Sequence, residues 1–212
     1  MGTLTVDPRA HTLDQEAAGA VPAARDLAAR IQAHYSTVRD FTADFTLTST
    51  SPLAPKPVVE KGSVRVKKPG RMRWIWATAE RKEFVADGLQ LYSYFPKDRY
   101  VMVTPLPKGD QASTALLFLT GRGDLTRDFT GVVPAGMPAG EWRITLTPRT
   151  KQTDFTTLTL EVDRTTLALR GLIVADDQGG VSAFRFDRMK ENTGVADREF
   201  EFAIPRGVEI RR

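Results

Sequence analysis

The sequence predicts a mainly β protein: an unclosed antiparallel β-barrel of about eleven strands whose hydrophobic cavity is covered by a helical lid. Three observations predict it. Alternating apolar and polar runs recur from Phe41 to the C-terminus, with turn formers about every ten positions between them. In GSVRVKKPGRMRWIW (62–76), Val64, Val66, Lys68, Met72, Trp74 and Trp76 share one parity, whereas Arg65, Lys67, Arg71 and Arg73 take the other. One face of this hairpin is therefore oily, with a single cation, and the other is basic. Finally, two helical segments have to be housed, and the concave side of a curled sheet is where they can bury an apolar face.

Residues 1–21 are small, polar and aperiodic and read as a flexible leader, followed by one domain over 22–212. From Ala23 to Val38, Leu27, Ile31, Tyr35 and Val38 recur at helical spacing, giving an amphipathic helix. At Phe41 the period switches to two: Phe41, Ala43, Phe45 and Leu47 alternate with threonines and Asp44, so the first strand begins there. SPLAPKP, with three prolines, is a loop. It is followed by a strand ending at Lys68 and by strands near 71–77, 82–86, 90–95 and 99–104. Asp87-Gly88 predicts a type I′ hairpin turn, because it supplies positive φ angles. Ser113 caps a short apolar helix carrying Leu116, Leu117 and Leu119, which must lie on an apolar surface. Strand patterns resume near Leu125 and continue through EWRITLTP, FTTLTLEVD, LALRGLIVAD, VSAFRFDRMK and REFEFAIP.

Composition excludes several chemistries. The chain has no cysteine, so disulfides, thiolate catalysis and cysteine-ligated zinc are out. Its two histidines, His11 in the leader and His34 on the polar side of the first helix, do not make a metal site or a catalytic base. No G-x-S-x-G elbow or S-x-x-K pair occurs. No cofactor is expected, and an enzyme acting on lipids would have to rely on a carboxylate such as Asp87 or Asp44. Glycines 179 and 180 read as a hairpin turn rather than a phosphate loop. A net charge of +4 is compatible with anionic surfaces without specifying one. The first twenty residues lack the apolar run of a secretory signal.

The cations at 65, 67, 68, 71 and 73 beside two tryptophans resemble a single-strand nucleic-acid platform, but stacking platforms expose aromatics and cations together, and here they oppose each other. Nucleic acid is not expected; the basic residues read as a solvated strand face. The apolar set of Phe41, Phe45, Val64, Val66, Trp74, Trp76 and Leu91 fits a filled core or the wall of an acyl-chain cavity. Lys68 favours the cavity: a lone inward cation at a rim suits an amphiphile with a polar head.

The combination of GSVRVKKPGRMRWIW, VADGLQLYSYFP, TALLFL and FEFAIPRGVEI resembles the outer-membrane lipoprotein carriers of the LolA type, over about residues 25 to 210. The resemblance implies an unclosed barrel under helices, in a periplasmic, monomeric carrier without covalent chemistry. Such a carrier accepts acylated lipoproteins from an inner-membrane ATP-driven release complex and passes them to an outer-membrane receptor, through transient contacts with these membrane proteins. It further implies that Lys68 stands where the family usually has an arginine latching the lid, with the planar fork of donors lost. Leu116, Leu117 and Leu119 would belong to that lid, Met72 to a docking position that is usually aromatic, and Trp74 to an inward-facing tryptophan. A lipid- or lipoprotein-sensing regulatory module of the same fold is the alternative.

Overall fold

The computed structural model describes residues 21–78, 80–106, 123–151 and 155–212. Its strands are β1 (Asp40–Thr50), β2 (Val58–Lys67), β3 (Arg71–Trp76), β4 (Glu83–Asp87), β5 (Gln90–Phe95), β6 (Tyr100–Pro105), β7 (Phe129–Val132), β8 (Glu141–Pro148), β9 (Thr157–Asp163), β10 (Leu169–Ala175), β11 (Val181–Glu191) and β12 (Glu209–Arg211). All twelve lie in one open sheet, ordered β12-β6-β5-β4-β3-β2-β1-β11-β10-β9-β8-β7. Neighbours pair antiparallel except β12, which runs parallel to β6 at one edge. The expected mainly β, unclosed architecture is thus present.

Helix α1 (Ala24–Thr37) buries Leu27, Ala28, Ile31 and Tyr35, the stripe its periodicity marks. These side chains join one core with Ile144, Leu146, Leu158 and Leu160. The helix packs on β7, β8 and a one-turn helix α2 (Leu125–Asp128). Strand was expected from Leu125; instead the Asp124 carboxylate accepts from the backbone N–H groups of Thr126 and Arg127 and caps this helical turn before β7 starts. The segment carrying Leu116, Leu117 and Leu119 lies outside the described residues.

Two hairpins are as the turn residues dictate, with one difference in detail. The Asp87 carboxylate accepts from the backbone N–H groups of Leu89 and Gln90. Only Gly88 takes a positive φ, +102°, so the turn is not the type I′ form, which needs two. At 176–180, the Asp176 backbone N–H donates to the Gly180 carbonyl and its carboxylate accepts from the Gly180 N–H, which makes a plain hairpin closure.

REFEFAIP was expected as a strand and is not one. Asp197–Phe200 forms a 3₁₀ turn, and the chain from Val195 to Phe202 straps across the convex face of β2–β5. Phe200 is buried there, as are Val85, Val101 and Val195, and none of the four belongs to the main core. Phe202 packs on Tyr92 and Tyr94 at centroid distances of 5.3 and 5.5 Å. The strap also explains the basic face: Lys67 and Arg71 pair with Asp197 at 2.5 and 3.0 Å, Arg65 approaches Glu199 at 3.6 Å, and Arg73 pairs with Glu83 at 2.5 Å. These cations are half-buried under the chain's own acidic segment, which corrects the expectation of a solvated face. Pairs this open to solvent contribute little, so burial of Phe200 is the larger anchor.

Candidate functional site

Directly opposed residues in an antiparallel ladder share a face, so register fixes the composition of the concave side. Three rows cross it. One runs Phe41, Val66, Met72, Ala86, Leu91, Thr104; the next Ala43, Val64, Trp74, Phe84, Ser93, Met102; the third Phe45, Gly62, Trp76. The seven residues expected to line an apolar cavity, Phe41, Phe45, Val64, Val66, Trp74, Trp76 and Leu91, therefore all stand on one face, and Met72 stands among them. Phe41, Phe45, Val64, Val66, Met72, Trp74 and Trp76 are buried, while Leu91 is half-buried.

Aromatic rings link the rows. Phe45 contacts Trp74 and Trp76 at 5.3 and 5.2 Å, Trp76 meets Phe84 edge-on at 4.9 Å, and Phe184 of β11 closes on Trp74 at 5.4 Å. Tilted and edge-on geometries at these distances are the favourable ones for aromatic quadrupoles. Gly62 makes room for this cluster. A Cβ there would lie 2.1 Å from the Ile75 carbonyl oxygen and 2.6 Å from Cζ of Phe45.

The concave face is uneven in cover. Under α1 the side chains of β8 and β9 are sealed: Ile144, Leu146, Leu158 and Leu160 have no exposure. On the β4–β6 wing, Phe84, Leu91, Phe95 and Tyr100 are half-buried and Met102 is 41% exposed. That wing is an apolar shelf continuous with the aromatic cluster. Phe84, Phe95 and Met102 were not singled out from the sequence; the alternation in QLYSYF is blurred because its other face, Tyr92 and Tyr94, is also covered, by the strap.

Lys68 follows β2 and turns to the concave side. Its Nζ donates to the Tyr35 carbonyl oxygen and lies 3.7 Å from the centre of the Tyr35 ring, tying the β2–β3 turn to the end of α1. Burial pulls the Lys68 ammonium down to about 8, with the charge of Glu191 opposing the shift. Burial also pushes the Tyr35 phenol well above its ordinary range. His34 is not the surface residue expected: it is half-buried, and its Nε2 lies 3.1 Å from Glu191 on β11. A second cation sits on the concave side at the opposite end of the rows, where Lys82 pairs with Glu60 at 2.8 Å and stands 5.1 Å from the Trp76 ring centre.

Among the described residues the concave side offers an apolar surface. Asp87 is engaged in its turn, and Asp44 is ion-paired with Arg188. No cluster of three potential metal ligands occurs among the described residues. No helix among them is long and apolar enough to cross a membrane.

The family described as outer membrane lipoprotein carrier protein LolA matches residues 36–203 of this chain. An outer-membrane lipoprotein carrier protein of Chromohalobacter salexigens is 30% identical over 186 residues, covering 87% of this chain and 86% of its own. A protein of the same name from Methylobacillus flagellatus is 23% identical over 185 residues, covering 85% and 86%. Among solved structures, an uncharacterized conserved protein from Thermus thermophilus superposes over 89% of this chain and 98% of its own, with a TM-score of 0.55 and 11% identity, a likeness of fold alone.

Proposed function

We propose, since this chain belongs to the LolA family of outer membrane lipoprotein carrier proteins, that it is a periplasmic carrier which shelters the acyl chains of a lipoprotein on its concave face. It takes cargo from an inner-membrane ATP-driven release complex and yields it to an outer-membrane receptor, with no covalent step. The observation that carries this reading is the uneven concave face: a sealed apolar half under α1 running into a half-exposed apolar shelf of Phe84, Leu91, Phe95 and Met102.

The energetics require such a shelter. Each buried CH₂ is worth roughly 0.8 kcal/mol, so one palmitoyl chain brought into water costs on the order of 10 kcal/mol. Affinity must nonetheless stay moderate, or the cargo would not be delivered. A cover that packs on the empty face and must be displaced supplies that weakening, and we assign Lys68 as its latch, a role supported by its bond to the Tyr35 carbonyl at the end of α1. Its ammonium is already partly stripped of water, which limits what the latch contributes. We assign the segment of Leu116, Leu117 and Leu119 to the same cover, and Met72, buried on the concave face, to docking once that cover is displaced.

Transfer tests the carrier role. Donor vesicles carrying a labelled triacylated lipoprotein are incubated with the protein and then with acceptor vesicles across a dialysis barrier. A carrier moves label in proportion to its concentration. Capture without delivery would overturn the carrier reading in favour of a sensing module of the same fold.

A further inference from the structure

Three buried side-chain polar atoms among the described residues have no hydrogen-bond partner: Trp76 Nε1, Thr78 Oγ1 and Arg143 Nε. The guanidinium of Arg143 is engaged elsewhere, with Glu161. The other two side chains stand two residues apart, at the end of β3 and in the segment that follows. Trp76 is 5% exposed and stands among Phe45, Trp74 and Phe84 on the concave face. A buried donor left unpaired is costly, and native proteins rarely keep one without a use.

We infer that the Trp76 indole N–H, assisted by the Thr78 hydroxyl, is a binding group for the ester carbonyl of a cargo acyl chain. The inference rests on the acyl-carrier reading and adds a polar contact to it. The chemistry of the site selects the ligand class. An indole nitrogen only donates, so the missing partner is an acceptor. An anionic acceptor would be desolvated among the aromatic rings, and the cation beside Trp76, Lys82, is already neutralised by its pairing with Glu60. A neutral carbonyl carried on an apolar chain does not meet that penalty. The ester joining an acyl chain to its glyceryl group is such an acceptor, and it would sit at the Trp76 end with its chain along the aromatic cluster and the β4–β6 shelf. Arrival of cargo then exchanges an unpaired donor for a paired one, a gain that a chain without a carbonyl does not provide.

The test compares a dipalmitoyl diester lipopeptide with its dihexadecyl diether counterpart, which has the same apolar volume but no carbonyl. The full chain is expected to bind the diester about fivefold more tightly, the size of one net hydrogen bond. In Trp76→Phe, which keeps an aromatic ring and removes the donor, the ratio is expected to fall to about one. Because the smaller ring also changes packing, a second measurement uses wild-type protein with nitrogen-15-labelled tryptophan: the Trp76 indole resonance should shift downfield with the diester and not with the diether. Equal affinity for both lipopeptides, with no selective shift, overturns this inference and leaves the carrier reading standing. Binding of neither overturns the carrier reading and this inference with it.

Discussion

Gly62→Val is expected to lower the stability of the protein by about 3 kcal/mol or more, the upper end of what overpacking costs. Gly62 lies on β2 opposite Phe45 on one side and Trp76 on the other. Its missing side chain is the space that the Phe45 ring occupies, and a Cβ would also meet the Ile75 carbonyl oxygen at 2.1 Å. A flexible side chain can swing aside, but a backbone carbonyl cannot move without disturbing the β2–β3 ladder. Valine adds two methyl groups to that conflict. Since small domains are stable by only about 5–15 kcal/mol, the urea midpoint should fall far enough to see without curve fitting. Gly62→Ala should show the same sign and a smaller size, because the first carbon is already the offending one. An unchanged midpoint in both variants would mean that the aromatic cluster is not packed as described.

Met102→Asp is expected to do the opposite: to leave stability within about 0.5 kcal/mol, as exposed substitutions do, while weakening acyl-chain binding by about a hundredfold. Met102 is 41% exposed and opposes Ser93 on the concave wing, so water solvates a carboxylate there in the empty protein. A chain lying on the shelf would remove that water, and desolvating an unpaired carboxylate costs several kcal/mol even after relaxation. Met102→Leu keeps the apolar surface and should bind nearly as wild type. Titration of each variant with a lipopeptide, beside its urea midpoint, separates the effects. Full binding by Met102→Asp would move the acyl chains off the β4–β6 wing.

What was legible in the sequence was chiefly parity. Val64, Val66, Met72, Trp74 and Trp76 fall on one face because the period of a strand is two whatever the rest of the chain does, and the helical stripe Leu27, Ile31, Tyr35 is read the same way at its own period. Both are local signals. The strap was misread for a related reason: REFEFAIP alternates as a strand does, yet Phe200 is buried on the convex side and Phe202 is held there by Tyr92 and Tyr94, distant residues that no local period reveals. The charge pattern held a clue, since Asp197 and Glu199 are the partners of Lys67, Arg71 and Arg65. The α2 turn is announced only by its cap, Asp124, because four residues are too few to show a period. Gly62 carries no local sign either; its reason is the ring on the neighbouring strand. Lys68 was read as inward from parity, but its tie to Tyr35 depends on where α1 ends over the sheet.

On the proposed reading, acyl chains are the element that this protein recognises, and the polypeptide of the cargo is secondary. Native mass spectrometry of the protein mixed with a triacylated lipoprotein, and separately with the same lipoprotein stripped of its acyl chains, measures this directly. The account predicts a one-to-one complex with the acylated form and none with the stripped form. Equal complexes with both, or none with either, would contradict it.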